Sequence, residues 1–201
     1  MNDPATNDSP APSMPTGKKR SLWLRVVLAL VILMAVFVLI VSLQPSEFSI
    51  SRSATIDAPP AQVFPHVNDL HAWEAWSPWA RLDPNAKNTF EGPPAGAGAK
   101  FSWDGNQEVG VGSMTISQSK PDELVQIKLD FVEPFPCSND VEFTFHPEGN
   151  QTRVTWTMTG KNNFVGKALG LVMNMDKMVG SMFEQGLANL KTVVEERPVA
   201  G

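Results

Sequence analysis

The stretch NFVGKALGLVMNMDKMVGSMFEQGLANLKTVVEE, residues 163–196, decides the fold. At about 100° per residue, Phe164, Val165, Ala168, Val172, Met175, Val179, Met182, Phe183, Leu187, Leu190, Val193 and Val194 fall on one stripe. Lys167, Asn174, Lys177, Ser181, Gln185 and Lys191 fall opposite, so the segment reads as an amphipathic helix with a broad buried face. It carries Gly166, Gly170, Gly180 and Gly186, each costing roughly 1 kcal/mol against alanine in a helix interior. It also concentrates Met173, Met175, Met178 and Met182, flexible side chains that fill irregular space. These features suit a helix facing an adaptable apolar volume; an ordinary core helix with kinks fits the pattern as well. Unbroken, the helix would be ~50 Å long, too long for a domain of this size. A break is expected at 170–174 or at Gly180-Ser181, where Ser181 and Glu184 have capping-box spacing. The stripe keeps its phase through Gly180, which favours the earlier position.

Such a helix needs a surface to cover, and the preceding residues supply a sheet. Phe48, Ile50, Ala54 and Ile56 alternate with Ser49, Ser51, Ser53 and Thr55, the pattern of a half-buried strand. Arg52 sits on the apolar side of that alternation. It is either a strand-end residue reaching solvent, the favoured reading, or a cation pointing inward. Pro59-Pro60 can open a helix with Val63, Phe64 and Val67 buried, which Pro65 is expected to end or kink. A short helix is expected over 70–76 and loop from 77 to 87. Six further strands follow at 88–91, 98–103, 108–118, 124–131, 139–146 and 152–159, separated by turn residues. Alternation turns Phe101 and Trp103, then Val125, Ile127, Leu129 and Phe131, then Val141, Phe143 and Phe145, then Val154, Trp156 and Met158 to one side. Gly110 and Gly112 predict a bulge or strong bend. The sum is an α+β architecture: an antiparallel seven-stranded sheet with helices on one face. A bent sheet under a closing helix leaves a volume between them.

Ahead of this domain, residues 1–20 form a polar, proline-rich tail ending in Lys18-Lys19-Arg20, and disorder is expected there. Residues 21–44 read as a transmembrane helix. From Val26 to Leu43 there is no charge, a span of ~27 Å, close to the hydrocarbon thickness. Trp23 suits the interface and Arg25 can snorkel. A cleaved signal peptide fits less well, because the apolar run is long and no A-x-A-like site follows. Basic residues before the span and only Arg52 soon after it place the N-terminus in the cytoplasm and residues 45–201 beyond the membrane, in the periplasm if the host is bacterial.

The formal charge is −5, and residues 1–44 contribute +2 through Lys18, Lys19, Arg20 and Arg25 against Asp3 and Asp8. The remainder is therefore at −7, without a basic stripe, which argues against nucleic acid as a partner. The single cysteine, Cys137, excludes an internal disulfide framework and a cysteine-based zinc site. His66 and His71 are five apart, about 140° around a helix, so they do not share a face as an i, i+4 zinc pair would. No cofactor or metal is expected. The glycine-rich run 92–98 leads into a strand with no helix N-terminus for a phosphate, and reads as a flexible loop.

Ile56-Asp57-Ala58-Pro59 before Val63-Phe64, then Asn68-Asp69, then residues 73–79 (WEAWSPW), resemble the opening of the START-like (SRPBCC) superfamily, in its polyketide cyclase/dehydrase branch. Residues 110–116 (GVGSMTI) and 183–191 (FEQGLANLK) are similar to the same branch. The resemblance covers about residues 47–197. It implies a helix-grip fold, a curved seven-stranded sheet around the C-terminal helix with a hydrophobic cavity between them. The superfamily includes lipid carriers, hormone receptors, cyclases and chaperone-activating domains, so the fold alone does not name an activity.

Candidates to line that cavity are Trp73, Trp76, Trp79, Phe101, Trp103, Phe131, Phe143, Trp156, Met175, Asp176, Val179, Met182 and Phe183. The three tryptophans of 73–79 either line an entrance or seal the core edge. Asp176 lies near the apolar stripe. At a cavity edge its pKa would be raised, making it a general acid or an anchor for a ligand's polar group; pairing with a nearby cation is favoured over both. No catalytic motif appears. The expected function is a single-pass, membrane-anchored domain binding a lipophilic small molecule or lipid, with the bilayer contacted through residues 22–43. The alternatives are a cyclase/dehydrase-type enzyme using a cavity carboxylate, and a protein-interaction module.

Overall fold

The computed structural model describes residues 17–196, and the chain divides into two compact units between Gln44 and Pro45. The tail expected over 1–20 lies outside the described residues as far as residue 16; from Gly17 the chain is already helical. Helix α1 (Gly17–Ser42) contains the apolar span, with a mean hydropathy of 3.2 over its most apolar window. It is apolar all round rather than along one stripe, and its ~39 Å suffice for a membrane span or a signal anchor.

In the second unit, seven strands form one antiparallel sheet: β1 (Glu47–Ile56), β2 (Lys87–Glu91), β3 (Lys100–Asp104), β4 (Val111–Lys120), β5 (Leu124–Glu133), β6 (Cys137–Glu148) and β7 (Gln151–Lys161). Their order is β1-β7-β6-β5-β4-β3-β2. Every neighbouring pair but one is joined by a hairpin, and the chain crosses from one edge to the other only between β1 and β2. The sheet is curved, and β4 carries irregularities at Val111/Gly112 and Ile116/Gln118, where an extra residue bends a strand. Residues 108–110, expected in that strand, form a turn instead. The Asn106 side chain accepts from the backbone of Glu108 and Val109, and Gly110 takes a positive φ of 64°.

The convex face is wet. Ser51 and Thr157, and Ser53 and Thr155, pair hydroxyl to hydroxyl across β1 and β7; Lys128 meets Asp140. On the concave face the far end of the sheet is filled. Ile56, Ile116, Val125, Ile127, Phe143 and Val154 are fully buried there with Val63 and Val67 of α2 (Pro60–Asn68) and Trp76 of α3 (Trp73–Trp76). Pro65 does not end α2, which runs three residues past it. Proline there forfeits one hydrogen bond, and burial of Val63, Phe64 and Val67 holds the helix. The segment expected as loop contains a 3₁₀ turn, Pro78–Arg81. Residues 92–98, expected to be a flexible loop, are tied down. Gly98 donates to the Ile116 carbonyl at 2.8 Å and Gly96 to the Asn68 carbonyl at 3.0 Å.

The C-terminal segment breaks at the earlier of the two expected places. Helix α4 (Phe164–Gly170) is capped by Asn163, and α5 (Met175–Glu195) by Asn174, whose side chain accepts from the Lys177 amide. No break occurs at Gly180-Ser181; Ser181 Oγ instead donates to the Lys177 carbonyl within the helix. Phe183, Leu187, Leu190 and Val194 of α5 are buried against the far end of the sheet, whereas α4 buries no residue.

Candidate functional site

The antiparallel register sorts the concave side chains into rows running across the sheet. The first contains Phe48, Gly160, Asn139, Leu129 and Met114, and the second Ile50, Met158, Val141, Ile127 and Ile116. The third contains Arg52, Trp156, Phe143 and Val125. A cavity of about 1200 Å³ lies over Phe48, Asn139, Leu129 and Met114 of the first row and Ile50, Met158 and Val141 of the second, reaching Trp156 of the third, while Ile127 and Ile116 belong to the filled core. Phe101 and Trp103 of β3, Phe131 of β5, and Trp73 and Trp79 continue its wall. Its cover is α4, residues 171–174 and the first turns of α5 to Phe183.

Local structure explains this wall. Gly160 leaves room for the Asn139 side chain to lie across it, where any Cβ would overlap the amide oxygen. Gly112 likewise lets the Trp103 ring lie over β4, and the Trp103 indole donates to the Val109 carbonyl at 3.0 Å. Trp156 stacks on Phe183 with ring centroids 4.2 Å apart and planes at 7°, joining sheet to helix where cavity gives way to core. Gly186 permits that approach, since a Cβ there would stand 2.8 Å from the Trp156 ring. The indole N–H of Trp156 is buried without a hydrogen-bond partner, an uncommon state for a donor.

Ten of the residues expected at the cavity border it: Trp73, Trp79, Phe101, Trp103, Phe131, Trp156, Met175, Asp176, Val179 and Phe183. Trp76 and Phe143 do not. Both are fully buried, meeting edge to face with centroids 6.2 Å apart, and the Trp76 indole donates to the His66 carbonyl at 2.9 Å. Met182 also lies outside the lining. The sequence reading missed Phe48, Ile50, Leu129, Val141 and Met158 as lining positions. They share the inward alternation, but alternation does not tell whether a helix or empty space lies opposite.

Arg52 corrects the strand-end reading. It lies in the middle of β1 and points at α5. Its Nε donates to Glu184 Oε1 at 2.7 Å, and Nη1 and Nη2 donate to the two Asp176 carboxylate oxygens at 3.2 and 3.0 Å. Nη2 also donates to the Asp176 carbonyl at 3.1 Å. Gly180 is a glycine because a Cβ there would overlap the guanidinium. Asp176 is paired with a cation, as the favoured reading expected, and the alternative of a raised pKa is the part that fails. Its side chain is 61% exposed, and the hydrogen bonds from Arg52 hold its pKa below the ordinary carboxylate value rather than raising it. It is ionised at neutral pH and has no proton to give.

The remaining titratable groups on the lining, His71, Glu74, Asp83, Glu108 and Lys161, are exposed or half-exposed. Among the described lining residues, Ser77 and Asn139 are the buried polar ones besides the Trp156 indole. His71 stacks on Phe90 at 3.9 Å, and its Nδ1 lies 2.9 Å from Asp69 Oδ1. Cys137 opens β6 at the rim, exposed, and desolvation pushes its thiol pKa up. No group of three metal-ligating side chains occurs among the described residues.

Residues 47–195 match the family described as polyketide cyclase/dehydrase and lipid transport, and the chain belongs to that family. A Chromobacterium violaceum protein is similar in fold, with a TM-score of 0.55 and 16% identity over 74% of this chain and 98% of its own. The di-domain aromatase/cyclase BexL, from the BE-7585A biosynthetic pathway, is similar at a TM-score of 0.56 and 19% identity; the match covers 80% of this chain and 54% of BexL. The Aha1 dimer from Colwellia psychrerythraea is similar at 0.53 and 16%, over 74% of this chain and 97% of its own. No curated protein matches the sequence.

Proposed function

We propose that this chain is a membrane-anchored receptor or carrier domain for a lipophilic small molecule or lipid, held in the cavity between the sheet and the C-terminal helices. One observation carries the reading: Phe48, Leu129 and Met114 of the first row and Ile50, Met158 and Val141 of the second face an unfilled volume of about 1200 Å³ whose described buried wall holds no acid or base. Apolar lining with a few fixed polar groups is the chemistry of a binding pocket. Asn139 supplies a fixed polar group, suiting a largely hydrocarbon ligand with a polar end. Family membership supports the ligand class. The basic residues in the first turn of α1, ahead of its apolar span, support a cytoplasmic N-terminus with the domain on the other side. An activity-dependent reporter fused after Gly201 tests that orientation, and activity confined to the cytoplasm would refute it.

The test of binding is extraction. The full chain is purified from its host and its bound lipophiles are identified by mass spectrometry, alongside Val141→Trp, which puts an indole into the second row. The wild type is expected to carry a reproducible lipophile and Val141→Trp to lack it. Equal recovery from both, or failure to bind any lipophile in displacement assays, counts against the reading.

The Asp69–His71 pair favours a second reading, a cyclase or dehydrase. A carboxylate at Nδ1 orients the imidazole at the cavity rim, leaving Nε2 to act as a base. Under that reading, the lipophile recovered from His71→Gln differs covalently from the wild-type one; under the binding reading the two are identical.

A further inference from the structure

The cover of the cavity is itself unusual, and its position adds something to the binding reading. Helix α4 buries none of its residues, and each residue from 171 to 178 is exposed, Val172 at 81%. Phe135, Val165, Leu169, Val172 and Met173 are exposed and at the same time border the cavity. Isolated exposed apolar residues are ordinary, whereas a group around one opening marks a surface that something covers.

The register shows where that opening lies. Phe131 pairs with Cys137 at the β5–β6 hairpin, Asn139 pairs with Gly160, and Gly160 pairs with Phe48. The hairpin tip bearing Phe135, the exit of β7 into α4 and the entry into β1 therefore share one end of the sheet. The Asn162 amide donates to the Ser46 carbonyl at 2.7 Å, fixing the start of α4 beside the start of the domain. Only residues 43–46 separate Ser42, the end of α1, from Glu47, a reach of at most about 18 Å. The charge of the segment differs from that of its domain. Residues 161–178 hold Lys161, Lys167 and Lys177 against one acid, Asp176, which Arg52 neutralises, within a unit at −7.

We infer that α4, residues 171–174 and the Phe135 hairpin tip form a bilayer-docking surface. On it the cavity mouth is pressed into the headgroup layer of the membrane that α1 spans. An exposed apolar helix flanked by lysines suits an interface with anionic lipid. A lipophile then passes between membrane and cavity without crossing water. This rests on the anchor reading of α1.

The test uses the full chain with Cys137→Ser, carrying an environment-sensitive fluorophore on Val172→Cys or, as control, on Gln151→Cys at the opposite end of β7. Both positions are exposed, so labelling leaves the core intact. The proteins are reconstituted into vesicles of phosphatidylcholine and phosphatidylglycerol containing doxyl-labelled lipid. Quenching is expected to be several-fold stronger at 172 than at 151, with a blue shift at 172, and to fall when Phe164→Asp and Leu169→Asp are added. Equal quenching at both positions in protein that resists carbonate extraction overturns docking alone. Release of the protein by carbonate overturns anchor and docking together. A blue shift at 172 without doxyl quenching, growing with the protein-to-lipid ratio, assigns the surface to a second copy and overturns it.

Discussion

Residues 164–178 and 179–194 continue one apolar stripe and end in opposite environments. In the second half Phe183, Leu187, Leu190 and Val194 are buried against the sheet, and in the first half nothing is. The sheet beneath decides the difference. Over the far rows, Phe143 and Val154, with the tryptophans of 73–76, rise to meet the helix; over the first row and over Ile50, Met158 and Val141 of the second the space stays open. Arg52 stands at the border and fixes where contact begins, gripping Asp176 and Glu184 from below. An amphipathic pattern thus states which face of a helix is apolar, and only the opposing surface states whether that face is core or cavity wall.

Breaking the packed half should cost most. Leu190→Ala, at a position with no exposure, is expected to destabilise the domain by about 2–5 kcal/mol, while Leu169→Ala in α4 stays within about 0.5 kcal/mol. Denaturant titration followed by tryptophan fluorescence reads both. The same substitution at two glycines should then differ in sign. Gly186→Ala pushes a methyl against Trp156 and against Pro78, 3.2 Å away, and overpacking of about 1–3 kcal/mol outweighs the gain in helix propensity of about 1 kcal/mol. Gly170→Ala, with nothing within 4 Å, is expected to stabilise by about 0.4–1 kcal/mol.

The smallest effect concerns the border itself. Asp176 has its folded-state pKa below the reference value of 3.8, so its contribution is fully present above about pH 4 and is lost as pH falls through the lowered folded value. The hydrogen-exchange protection factors of the first two turns of α5, taken against intrinsic rates at each pH, should therefore fall on acidification while the turns around Leu190 stay protected. Asp176→Asn should remove most of that dependence, and high salt should weaken it.

Much of this comparison was legible beforehand. Period-two alternation located seven strands and their inward sets, because each inward side chain answers only to the pleat. The break at 170–174 followed from helix length and stripe phase. Arg52 was misjudged because its partners lie more than a hundred residues away, and nothing local distinguishes a cation that reaches water from one that reaches a helix. Gly180 reads as a propensity cost until that guanidinium is in view. Trp76 and Trp79 are three residues apart and equally apolar, yet one is sealed against Phe143 and the other borders the cavity. That division belongs to the opposing strands, so the tryptophans' own spacing could not reveal it.

The clip between Ser46 and Asn162 has a mechanical consequence. Tension arriving through the residues ahead of Ser46 and directed along the strand acts on β1 from its first residue. β1 is held to β7 by ten paired residues from Glu47 to Ile56. Those pairs are loaded together in shear instead of being peeled apart in sequence, so this corner of the sheet resists being dragged. The same corner holds the root of α4, so the start of that helix is anchored to the strand pair that bears the load.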